Sequence, residues 1–180
     1  IGKQTLDVAF RLPEKLQVVG LATYRDHKTL LAQAAELGVR HVGLIEPVNA
    51  SLREQIPFAG IEGLCAMVQR DEVDIVVVAL GGAIALKPTL AALEAGKTVA
   101  LATKEALVAA GEVVMRTAKR FNAPLLPIDS EHSGAFQAML AGRREEVARL
   151  LLTASGGPFR TRPLETFDAI TVEEALKHPN

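Results

Sequence analysis

A chain of 180 residues, 49% of them hydrophobic, is long and apolar enough to bury a sizeable core, which excludes disorder. Its 20 basic residues nearly balance 21 acidic ones, for a formal charge of -1. With no basic tract nothing points to nucleic acid, and no apolar run reaches the roughly 18 to 20 residues of a membrane-spanning helix. Small charged metabolites remain open as ligands.

Gly2 to Leu12 carries Leu6, Ala9, Phe10 and Leu12 at helical spacing, and Pro13 ends the pattern. This helix has no strand before it and no initiating Met, so the chain reads as a segment of a longer protein. Leu16 to Ala22 predicts a short strand, Lys28 to Leu37 a helix stopped by Gly38, and Val42 to Ile45 a second strand. Ala50 to Gln55 and Gly60 to Gln69 predict two further helices. The single cysteine, Cys65, lies in the apolar pattern of the latter, as expected of a buried thiol in a reducing compartment. Val73 to Leu80 (VDIVVVAL) is a near-continuous β-branched run of the kind buried on both faces of a parallel sheet, and it predicts a central strand.

Gly81-Gly82 follows, then a helix near Pro88 to Ala95 with Gly96 as stop, a strand Thr98 to Leu101 and a long helix Glu105 to Phe121. Successive βαβ units of this kind wind into an α/β, doubly wound, mostly parallel Rossmann-like sheet. The boundary of this dinucleotide-binding domain falls at residue 127, and 128–180 reads as the beginning of an α+β catalytic domain. There the pattern predicts a helix through Ala135 to Leu140, a strand Val147 to Thr153, a long loop to Ile170 and a capped helix Thr171 to Lys177.

Chemistry concentrates where strands give way to helices, the edge at which open α/β sheets bind ligands. In Pro127-Ile128-Asp129-Ser130-Glu131-His132, two carboxylates two positions apart can converge on one hard cation; the same residues would also cap a helix. Lys104, at the start of a helix in Thr103-Lys104-Glu105, is poorly placed for the dipole and invites an anionic partner, although a solvated lysine is the commoner outcome. The turn Tyr24-Arg25-Asp26 ends the strand whose terminus selects the cofactor. There Arg25 favours NADP over NAD and Tyr24 can lie against adenine, the alternative being a surface pair of Arg25 with Asp26. Ser155-Gly156-Gly157 suits an anionic oxygen or a plain turn, and His178 a ligand or a helix-end dipole partner. No hydrolase triad spacing, GxSxG or zinc pattern is present.

Taken together, IGKQTLDV, PTLAALEAGKTVALATKEALV, LLPIDSEHSGAFQ, LLTASGGPFR and EEALKHPN resemble 1-deoxy-D-xylulose 5-phosphate reductoisomerase over the whole chain. The resemblance implies an NADPH-dependent oxidoreductase and isomerase of non-mevalonate isoprenoid biosynthesis. Such an enzyme converts 1-deoxy-D-xylulose 5-phosphate, a small phosphorylated sugar, into 2-C-methyl-D-erythritol 4-phosphate. It further implies Asp129 and Glu131 as two of three carboxylates binding Mg2+ or Mn2+, the third lying beyond Asn180. Lys104, Ser130, Glu131, Ser155 and His178 correspond to substrate contacts, and Ile1, Tyr24, Arg25, Asp26, Thr103 and Glu105 to the cofactor site. Thr103 departs from the family's usual Asn, and Tyr24-Arg25-Asp26 from its usual Gly-Lys/Arg-Asn type of turn. A homodimer is implied for the complete enzyme, in a bacterial cytoplasm or, the start being absent, a plastid; the 180-residue piece alone is expected to be inactive. Two rivals stand beside this reading: a metal-independent NADP sugar or semialdehyde dehydrogenase, and a non-catalytic NADPH-sensing module.

Overall fold

The computed structural model describes residues 1–46, 49–152 and 157–177. It divides into two compact units, Ile1–Asp129 and Ser130–Asn180. Unit 1 alternates helix and strand: α1 (Gly2–Arg11), β1 (Gly20–Thr23), α2 (His27–Leu37), β2 (His41–Leu44), α3 (Ala50–Arg53), β3 (Phe58–Ala59) and α4 (Gly60–Val68). Then come β4 (Ile75–Val78), a 3-10 turn at Ala83–Ala85, α5 (Leu86–Glu94), β5 (Thr98–Leu101), α6 (Glu105–Arg120) and β6 (Leu125–Pro127). All pairings are parallel, in two three-stranded sheets ordered β1-β2-β3 and β4-β5-β6. This is a Rossmann-like α/β architecture, as the alternation predicted.

Local chemistry explains most boundaries. Asp26 caps α2 by accepting from the Thr29 N–H at 3.2 Å, and Gly38 ends that helix in the left-handed region at φ 66°. Helix α6 contains a break at Ala110 (φ -150°, ψ 34°), which the sequence pattern had not shown. Two cores hold the unit together. Val76, Val78, Leu93, Val99, Leu101 and Val114 cluster around β4 and β5; Leu30, Ala34, Val42, Leu44 and Ile56 cluster around α2 and β2. Cys65 packs against the first cluster as a half-buried thiol, and burial raises its pKa above the ordinary value.

Several expectations need correction. Among the described residues β4 pairs with β5, and its burial alternates, with Ile75 53% and Val77 38% exposed. Strand β1 starts at Gly20 rather than Leu16, and β3, two residues long, carried no sequence signal.

In unit 2, α7 spans Ser130–Met139, starting where the sequence offered a helix cap. Residues 147–152 form no strand, because nothing among the described residues pairs with them and an isolated strand is unstable in water. The long loop is organised as 3-10 turns at Gly157–Phe159 and Leu164–Ala169, ahead of the short helix α8 (Val172–Ala175). Thr171 and Glu174 close a reciprocal capping box on α8. Arg162 then clips the region, donating to Glu174 at 2.8 Å and to the Thr166 hydroxyl at 3.1 Å while lying 5.7 Å from the Phe159 ring centre.

Candidate functional site

The carboxyl ends of the unit 1 strands carry Tyr24, Arg25 and Asp26 after β1, Thr103 and Lys104 after β5, and Asp129 after β6. At one group of ends, Ile1 is the N-cap of α1, its carbonyl accepting from the Thr5 N–H at 2.9 Å. A β-carbon built on Gly2 would stand 4.0 Å from that of Ala79, so the start of α1 lies beside the end of β4. Tyr24, just past β1, lines an open cavity of about 460 Å3 with Leu80, Gly81, Ala83 and Ile84 from the β4–α5 turn. Helix N-termini offer unpaired N–H groups to anions, and strand ends supply the walls of nucleotide sites.

These β4–α5 residues were not among the sequence candidates. The available signal was Gly81-Gly82 directly after a strong strand: Gly82 adopts φ 77°, ψ -172°, a conformation essentially restricted to glycine. Arg25 is exposed, and among the described residues no ion pair or hydrogen bond engages its guanidinium. Asp26 does not pair with it. The Asp26 carboxylate is committed to Thr29, whose hydrogen bonds hold its pKa below the ordinary 3.8.

At the second group of ends, β5 and β6 finish in register, Leu101 opposite Pro127, with the Ile128 N–H donating to the Leu101 carbonyl at 3.0 Å. Thr103 and Lys104 follow the first strand and Asp129 the second, so Lys104 and Asp129 leave the same edge of the sheet. Lys104 is exposed at the N-cap of α6 and Glu105 opens that helix. Asp129 is only 9% exposed, an unusual location for a carboxylate. The Thr103 side chain is buried, its hydroxyl directed to backbone carbonyls of the β4 end.

Ser130 and Glu131 open α7 in unit 2, Ser130 exposed and Glu131 half-buried. Unit 2 also contains an open hollow of about 560 Å3 in which Arg160, Arg162 and Lys177 meet Glu174. Ser155 and His178 lie outside the described residues. Among the described residues no group of three or more His, Cys, Asp or Glu side chains forms a closed metal cage. Asp129 and Glu131 each carry carboxylate oxygens, the donor type a hard cation takes. No helix among the described residues is long and apolar enough to cross a membrane.

A parallel α/β unit with a cavity at its strand ends, followed by a lysine and a buried aspartate on one sheet edge, is the arrangement of the nucleotide-binding class of α/β folds. Comparison with known families narrows this. The profile of 1-deoxy-D-xylulose 5-phosphate reductoisomerase matches residues 1–111 and that of its C-terminal domain residues 125–180. The chain belongs to the 1-deoxy-D-xylulose 5-phosphate reductoisomerase family.

Among curated relatives, the reductoisomerase of Pelodictyon phaeoclathratiforme is 44% identical across 99% of this chain and 49% of its own length. That of Heliobacterium modesticaldum is 48% identical across 100% of this chain and 48% of its own. Among solved structures, the Zymomonas mobilis reductoisomerase in complex with NADPH superposes with a TM-score of 0.82 at 36% identity, covering 97% of this chain and 48% of that one. A reductoisomerase in complex with NADPH, fosmidomycin and magnesium gives 0.76 at 33% identity, covering 99% and 48%. The chain thus spans about half the length of the relatives it matches.

Proposed function

We propose that the complete protein carrying this chain is an NADPH- and divalent-metal-dependent reductoisomerase, a homodimer that converts 1-deoxy-D-xylulose 5-phosphate into 2-C-methyl-D-erythritol 4-phosphate. The observation that carries the reading is the departure of Lys104 and Asp129 from one sheet edge, in a chain whose family match extends over both units. Asp129 and Glu131 would hold Mg2+ or Mn2+, and the start of α1 with Tyr24 and Arg25 would hold NADPH.

When bound, the cation polarises the substrate carbonyl so that a carbon-carbon bond can break and reform, and NADPH supplies the hydride for the reduction that follows. The chain's own residues do the rest. Burial of Asp129 restricts its rotamers and keeps one cation ligand preorganised. Lys104 places an ammonium near the developing oxyanion, where positive charge favours the transition state over the ground state. Arg25 offers a planar fork of donors to the 2'-phosphate of the nucleotide. Ser130 and Glu131, opening α7, contact the substrate.

The test is NADPH oxidation by the complete protein with 1-deoxy-D-xylulose 5-phosphate, with Mn2+ and with chelator, beside an Asp129→Asn variant. The expected result is metal-dependent turnover that falls at least a hundredfold in the variant while NADPH affinity is kept, about the effect of losing a preorganised electrostatic group. Turnover that ignores the chelator would refute the metal role. A protein that binds NADPH without turnover would make the sensing module the better account.

A further inference from the structure

We infer that Thr103 is a positioning residue: its hydroxyl latches the wall of the β4–α5 cavity to the turn that carries Lys104. The inference rests on the nucleotide reading of that cavity given above. Thr103 is 5% exposed, and its hydroxyl donates to the Leu80 carbonyl, with the Val78 carbonyl at 3.4 Å as the alternative acceptor. The Val78 carbonyl already receives the Ala102 N–H at 2.9 Å. It is satisfied without Thr103.

Leu80 is different. It lies past Val78, the last rung of the β4–β5 ladder, so its carbonyl takes a bond from a side chain instead of from a neighbouring strand. Leu80 and Gly81 line the same cavity as Tyr24. On the other side of the bond, Thr103 immediately precedes Lys104, and its own carbonyl accepts the Ala106 N–H at 3.2 Å, inside the first turn of α6. One buried hydroxyl therefore joins the cavity wall to the peptide that orients the lysine. Loosening it should disturb both together: the wall loses its anchor and the lysine its fixed backbone.

This role differs from direct contact with the cofactor, and the two are separable. Thr103→Val keeps the β-branched shape and removes the donor, Thr103→Ser keeps the donor, and all measurements use the complete protein. Amide hydrogen exchange over residues 79–85 without any nucleotide reads the latch itself; nicotinamide fluorescence titration reads NADPH affinity, and steady-state kinetics reads kcat. In Thr103→Val, exchange is expected to speed up about tenfold, NADPH binding to weaken about five- to tenfold and kcat to fall, on the scale of one lost hydrogen bond. Thr103→Ser should restore all three.

Unchanged exchange in Thr103→Val, or failure of Thr103→Ser to restore it, overturns the latch; weakened NADPH binding with unchanged exchange assigns Thr103 to direct contact instead. Should Thr103→Val not fold, Thr103→Cys serves in its place, since a thiol is close to serine in size but a poor donor, and equal exchange in the Cys and Ser variants overturns the latch. If the wild-type protein binds no NADPH, the nucleotide reading fails and the exchange comparison alone decides the latch.

Discussion

Replacing Gly63 by alanine sets two effects against each other on α4. A β-carbon built on Gly63 stands 2.6 Å from the carbonyl carbon of Phe58, 3.1 Å from its α-carbon and 3.2 Å from its oxygen. Those atoms are backbone, and they are held by the β2–β3 ladder, in which Gly43 pairs with Phe58 and Leu44 with Ala59. Helix propensity favours the substitution by about 1 kcal/mol. Overpacking costs about 1–3 kcal/mol, and the upper half applies here because no side chain can rotate out of the way. Gly63→Ala should therefore destabilise the complete protein by about 1–2 kcal/mol. Gly111→Ala in α6 is the control, since the nearest atom there is the Leu107 β-carbon at 4.0 Å. Only the propensity gain, about 0.5–1 kcal/mol, should remain. Urea unfolding measures both as midpoint shifts at constant slope. A Gly63→Ala midpoint at or above that of wild type would refute the close-approach argument, whatever Gly111→Ala does.

Two further outcomes follow from particular contacts. Glu72 accepts from Arg70 at 2.6 Å and from His41 at 2.8 Å; led by the Arg70 hydrogen bond, these interactions lower its pKa from the ordinary 4.5 to about 2. A carboxylate depressed in the folded state contributes stability that is fully present above its unfolded pKa and is lost as pH falls from about 4.5 through about 2. Melting temperatures of wild type and Glu72→Gln should therefore converge on acidification through this window, and a constant gap would disprove the assignment. At the turn proposed to hold the nucleotide, Arg25→Ala should weaken NADPH binding about tenfold or more and leave NADH affinity nearly unchanged, the signature of a lost charge-assisted bond to the 2'-phosphate. Equal losses for both nucleotides in a titration would show that Arg25 does not read that phosphate.

Strong local signals gave most of the elements of this chain. The helix stop at Gly38, the strand Thr98–Leu101 and the capping box of Thr171 with Glu174 were all legible, because backbone conformation, β-branching and side-chain caps act within a few residues. Long specific motifs likewise marked Lys104 and Asp129 and the family to which the chain belongs. Folding alone decided what lies far apart in sequence. The Leu80–Ile84 wall meets Tyr24 across more than fifty residues, and the Thr103 hydroxyl finds a carbonyl 23 residues away. Val147 to Thr153 read as a strand, yet among the described residues nothing pairs with 147–152, and a strand needs a partner to form. Propensity and capping are properties of neighbouring residues, whereas burial, cavity walls and long-range hydrogen bonds are properties of the packed chain.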